Sequence, residues 1–159
     1  MTAFLVDTSF LISFANRDRP HHGAAVAYFR EALRRRVPLY LSAIVASEFQ
    51  VKQPLTDLPM RNFITLPFNV DHAMTAGLLM QQLQRDEGDL RAVVKDDVKI
   101  IAQAVCESIT HVLTEDRRTL AKYVQRFSDA GHASLKAVLL AEGFDAAWFS
   151  DGQRGIPGT

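Results

Sequence analysis

The chain has 159 residues, 48% of them apolar, and its 18 basic and 18 acidic residues give a formal net charge of zero. That length suits one hydrophobic core and is short for two, and zero net charge gives no bulk attraction to nucleic acid, though a local basic patch can still hold phosphates. A single cysteine, Cys106, excludes a disulfide framework within the chain, and no window reaches the roughly 18 apolar residues of a membrane span.

Taken in order, Ala3–Val6 reads as a short buried strand and DTSFLISFA as a helix with Asp7 or Thr8 at its N-cap. NRDRPHH is a polar loop. GAAVAYFREALRRR has helical periodicity through Val26, Phe29 and Leu33, and closes on three arginines that suit a helix C-terminus. PLYLS is a second strand and AIVASEFQVK a helix that stops before Pro54. RNFITLPF is a strand weakened by Pro67. VDHAMTAGLLMQQLQRD is a long helix, EGDLRAVVK a polar connector, and DDVKIIAQAVCESI another helix, with Cys106 expected in the core. THVLT is a strand, EDRRTLAKYVQRF a helix, and HASLKAVLLAEGFDAAWF fits either strand or short helix. The expected organisation is one domain over residues 1–149, with 150–159 a flexible, glycine-rich tail. Strands alternating with helices predict an α/β layer fold with a mainly parallel sheet. Residues 1–15 lack Lys and Arg, and Asp7 breaks their apolar run. That is unlike a secretory signal, so the expected location is cytoplasmic.

Four acids stand out. Asp7 ends the first strand, and in open α/β sheets ligands gather at strand carboxyl ends. Asp116 follows a later strand in HVLTED, with Glu115 beside it. Glu48 shares a helical stripe with Ile44 and Val51. Asp97 shares one with Ile101, Ala104 and Val105, whereas Asp96 falls on a more polar stripe and suits a first-turn charge. Each alone reads equally well as a cap or a solvated charge. Brought together they repel: two unit charges about 5 Å apart at an effective dielectric near 20 cost roughly 3 kcal/mol. A divalent cation removes that conflict, and oxygen-only ligands point to Mg²⁺ or Mn²⁺ rather than zinc. Rival chemistries are absent: there is no HxxxH, CxxC, GxSxG, P-loop or GxGxxG pattern. Asp7-Thr8-Ser9 lacks the second Asp of a haloacid-dehalogenase-type phosphatase, and a receiver domain would carry paired acids after its first strand.

With these residues in place, the chain resembles the PIN-domain family, and within it the VapC-type toxins. FLVDTSFLI is similar to the family's opening strand and first acid, SAIVASEF to its second-acid helix, DVKIIAQA to its third-acid segment and HVLTEDRRT to its closing strand, over roughly residues 3–127. Ile101 departs from the usual alanine, Lys99 sets a positive charge beside the third acid, and the C-terminal segment is longer than in a minimal toxin.

The resemblance implies a three-layer α/β/α sandwich. It also implies a ribonuclease that hydrolyses RNA phosphodiester bonds with Mg²⁺ or Mn²⁺ held by Asp7, Glu48, Asp97 and Asp116, whose carboxylates Thr8, Ser9 and Thr114 would orient. RNA phosphates would meet Arg17, Arg19, Arg117 and Arg118, with Lys52, Lys95 and Lys122 less favoured. A toxin of this kind implies a small antitoxin that offers a basic side chain to the acids, and the family implies a homodimer. Phe68, Met74, Leu78, Leu79, Leu83, Trp148 and Phe149 are core or interface residues. Two other readings keep the same acids: a PIN-like protein that binds metal or a partner without cutting, and a DNA-directed or flap-type nuclease.

Overall fold

The computed structural model describes residues 1–150. Most of the expected tail, from residue 151, lies outside the described residues. Five strands form one parallel sheet in the order β3-β2-β1-β4-β5: β1 (Phe4–Val6), β2 (Leu39–Ser42), β3 (Ile64–Leu66), β4 (His111–Thr114) and β5 (Lys136–Leu139). Phe4, Leu5 and Val6 are all fully buried. Successive strand side chains point to opposite faces, so helices cover both faces of β1. The chain builds outward from β1 to β3, then returns to place β4 on the other side of β1. The strand order therefore reverses between β1 and β4, where open α/β sheets form their ligand crevice.

Six helices connect and cover the strands: α1 (Thr8–Ala15), α2 (His22–Arg35), α3 (Ala43–Lys52), α4 (Val70–Gln82), α5 (Arg91–Cys106) and α6 (Leu120–Asp129). Caps explain several starts. The Asp7 carboxylate accepts from Phe10 N at 2.8 Å, Ser42 Oγ accepts from Ile44 N at 3.1 Å, and Asn69 with His72 forms a capping box on α4. Among the described residues no helix is long and apolar enough to cross a membrane.

Four local expectations change. The buried face of α2 is Ala25, Tyr28 and Ala32, while Leu33 is exposed. Tyr28 takes the inward position because its hydroxyl is satisfied there, donating to Gly143 O and accepting from Asp145 N. Helix α4 ends at Gln82, short of the expected Asp86, because residues 83–90 leave as a loop tied to α6. Lys122 bonds Asp86 at 2.9 Å and Asp89 at 2.6 Å, and Arg126 bonds Asp86 at 2.7 Å. Helix α5 begins at Arg91, inside the stretch expected to be a connector, so Asp96 and Asp97 sit in its second turn rather than its first. Cys106 is the last residue of α5 and is exposed rather than in the core, its Sγ 3.1 Å from Thr75 Oγ1 on α4.

The ambiguous C-terminal stretch resolves as β5 followed by two 3₁₀ turns, Leu140–Glu142 and Ala146–Phe149. It closes an aromatic cluster, with the Phe149 ring 5.0 Å from Phe4 and Trp148 edge-on to His111. Burial, reinforced by the Lys136 charge, pushes His111 down to about 4, so it packs as a neutral ring. Of the residues expected in core or interface, Leu79 and Phe149 are buried, Phe68, Leu83 and Trp148 are partly buried, and Met74 and Leu78 are exposed.

Candidate active site

An open cavity of about 600 Å³ is lined by Asp7, Glu48, Asp97 and Asp116, which come from four separate segments of the chain. Asp7 leaves the carboxyl end of β1, and its backbone N–H still joins the sheet through Leu113 O at 3.2 Å. Its carboxylate is buried and fully engaged. Oδ1 accepts from Phe10 N and from Ser9 Oγ, each at 2.8 Å, and Oδ2 accepts from Thr114 Oγ1. The same hydroxyls tie the β4 end in place, for Glu115 N donates to Ser9 Oγ and Asp116 N donates to Thr114 Oγ1. Burial nevertheless raises the Asp7 pKa to about 6, against the three hydrogen bonds and with the Asp116 charge adding to the rise.

Glu48 lies on α3 at the cavity wall, where its Oε2 accepts from Thr8 Oγ1 at 2.5 Å. Its stripe-mate Val51 is 87% exposed and lines the cavity with it, while Ile44, at the other end of the stripe, packs against the core that Val45 and Phe49 fill. Asp116 turns toward the start of α6, accepting from Arg118 N at 3.0 Å, Thr119 N at 2.9 Å and the Thr119 hydroxyl. Asp97 differs from all of these. It is 8% exposed and its Oδ2 is buried with no hydrogen-bond partner. Desolvation pushes its pKa up to about 7, opposed by the Thr119 hydroxyl and increased by the charges of Asp116, Asp7 and Glu48.

As the side chains stand, no three described His, Cys, Asp or Glu residues form a ready-made metal-ligand set. The oxygens of Asp7 and Asp116 are turned to local donors, as mutual repulsion favours. The donor chemistry still fits a hard divalent cation. All four candidates offer oxygen, they face one cavity, and a buried carboxylate oxygen without a partner is the group a cation would satisfy.

Thr8 bonds Glu48, and Ser9 and Thr114 bond Asp7. Arg19 reaches the cavity and pairs with Glu115 at 3.5 Å, and Lys52, ranked lower from sequence, also lines the cavity. Arg17, Arg117 and Arg118 are exposed outside its lining, Arg117 lying 3.9 Å from Glu142. Lys95 is exposed outside that lining too, and Lys122 is held by Asp86 and Asp89. Asp96 lines the cavity half-exposed, 4.0 Å from Lys99. Sequence reasoning missed Thr119, which looks like an ordinary N-cap before an apolar helix, and the buried Ser13 hydroxyl, which donates to Glu115.

The PIN domain family profile matches residues 4–125. No curated protein matches the sequence. Among solved structures, 29 chains match. VapBC2 from Rickettsia felis, bound to a DNA fragment from their promoter, is 14% identical with a TM-score of 0.57, over 86% of this chain and 98% of that one. VapC20 from Mycobacterium tuberculosis, a Sarcin-Ricin loop cleaving toxin, is 18% identical with a TM-score of 0.56, over 84% and 99%. DNA-bound VapBC from Salmonella typhimurium is 17% identical with a TM-score of 0.56, over 86% and 98%. At these identities the likeness is one of fold.

Proposed function

The chain belongs to the PIN-domain family, and on that premise we propose that it is a divalent-metal-dependent ribonuclease, the cytoplasmic toxin of a toxin–antitoxin pair, acting as one domain over residues 1–149. The observation that carries this reading is the meeting of four acids from four segments in one cavity, one of them a buried carboxylate with an unpartnered oxygen. Asp7, Glu48, Asp97 and Asp116 would hold Mg²⁺ or Mn²⁺. When bound, the ion supplies Lewis-acid stabilisation of the charge that builds on a phosphoryl group during hydrolysis. Around it, Ser9 and Thr114 hold the Asp7 carboxylate, Thr8 holds Glu48, and the amides at the start of α6 hold Asp116. Asp7 and Asp97, both raised toward neutrality, would have to be ionised to hold the cation. Arg19 and Lys52 at the cavity wall take phosphates flanking the scissile one.

Neighbours among VapBC systems support an antitoxin partner, which would set a basic side chain among the acids. The exposed Val70, Met74 and Leu78, four residues apart along α4, support a protein contact such as a homodimer.

The test is cleavage of end-labelled RNA with Mg²⁺, with Mn²⁺ and with EDTA. Losing a group that merely orients a metal ligand costs about 10–100-fold, so Asp7→Asn and Asp97→Asn should each cost more than about 100-fold. Wild-type-like cutting by either variant would overturn the assignment. Equal or faster cutting of DNA in competition would replace RNA as the substrate.

A further inference from the structure

Thr119 stands at the N-cap position of α6, where a threonine hydroxyl ordinarily accepts from the first turn's amides. Here it makes no such bond. The Asp116 carboxylate, three residues earlier, takes that duty by accepting from Thr119 N at 2.9 Å and Leu120 N at 3.4 Å. The Thr119 hydroxyl is thereby released, and it donates back to Asp116 Oδ2. The bond the hydroxyl makes is to Asp116 on the β4–α6 turn, and Asp116 and Asp97 of α5 repel each other across the same cavity.

A hydroxyl has one proton to give. Thr119 gives it to Asp116, while the buried Oδ2 of Asp97 has no hydrogen-bond partner. One acid is thus fixed in direction while the other keeps an unsatisfied oxygen at the same cavity. Resting on the metal-site reading above, we propose that Thr119 is a positioning residue that fixes the Asp116 carboxylate for a divalent cation shared with Asp97. Without the hydroxyl, Asp116 keeps only its amide donors.

The test is calorimetric titration of the full chain with MnCl₂, without nucleic acid, for wild type, Thr119→Val and Thr119→Ser. Outer partners of metal ligands are typically worth 10–100-fold in affinity, so Thr119→Val should bind Mn²⁺ at least about tenfold more weakly. Thr119→Ser, which keeps the hydroxyl, should recover most of that loss. A purely structural role would show instead as a lowered melting temperature in EDTA, with Mn²⁺ affinity unchanged. Equal affinity in Thr119→Val and wild type overturns the inference, as does equal weakness in Thr119→Ser and Thr119→Val. If Thr119→Val does not fold, Thr119→Ala against Thr119→Ser carries the same comparison. A wild type that takes up no Mn²⁺ would instead remove the metal reading of the site, and this inference with it.

Discussion

Asp97 has been taken out of water and given too few partners, and Asp7 has been taken out of water and given several. Both hold their protons more tightly in the folded chain, to about 7 and about 6, than at the ordinary value of 3.8. Between those values the folded state binds more protons than the unfolded one, so its stability falls as pH rises. The contribution is fully present below the ordinary carboxylate value and is lost as pH climbs through about 6 and about 7. His111, held down to about 4, works the other way as the unfolded imidazole loses its proton, but the two acids together outweigh it. In EDTA, urea unfolding should therefore show a less stable wild type at pH 8 than at pH 5. Asp97→Asn, which cannot ionise, should flatten that profile and gain on the order of 2 kcal/mol at pH 8. A wild-type profile that rises from pH 5 to pH 8 would contradict the buried, under-partnered carboxylates. Mn²⁺ should restore wild-type stability at pH 8 by mass action and leave Asp97→Asn less affected.

At the scale of elements, two acid-bearing helices are held in register by one buried amide. Gln103, six residues beyond Asp97 on α5, is fully buried. It accepts from Ser42 Oγ at 2.5 Å and donates to Pro67 O at 3.2 Å. Ser42 is the N-cap of α3, which carries Glu48 six residues on. Gln103→Leu would leave a buried hydroxyl and a carbonyl without that amide and should cost about 2 kcal/mol in equilibrium unfolding. An unchanged midpoint would show that neither group depends on it. The early start of α5 was only partly legible in the sequence. Leu90 offers no side-chain cap, so the stop-and-start signals that mark α1, α3 and α4 are missing. Arg91, Ala92 and Lys95 are nonetheless good helix formers. The α2 face slipped for a different reason: periodicity ranked Phe29 and Leu33 by hydrophobicity, while packing chose Tyr28 with its satisfied hydroxyl.

At the scale of the whole molecule, zero net charge leaves little long-range steering, so any hold on RNA is local. Two cations, Arg19 and Lys52, line the cavity. Each phosphate contact contributes a slope of about −0.7 to the logarithm of single-strand affinity against salt, so the chain should show a slope between about −1 and −2. Binding is best measured in Asp97→Asn, the variant expected to lose cutting. Arg19→Ala and Lys52→Ala should each flatten the slope by about 0.7. A slope of about −3 or steeper, above the share of two phosphates, would bring in Arg17, Arg117 and Arg118 as well.

The order of strands and helices as far as α6, the cap at the start of α1, and the choice of Asp97 over Asp96 as the inward acid were all determined by sequence alone. Periodicity, capping and turn chemistry act over a few residues and can be read there. What only the tertiary structure decided is which distant groups meet. Thr8 reaches Glu48 across 40 positions and Thr114 reaches Asp7 across 107, because the return of the chain sets β4 beside β1. The same closure brings Arg19 and Lys52 to the cavity and leaves Arg117 and Arg118 outside it. Those outcomes depend on where loops carry side chains once the sheet is assembled, and no local pattern of residues encodes that path.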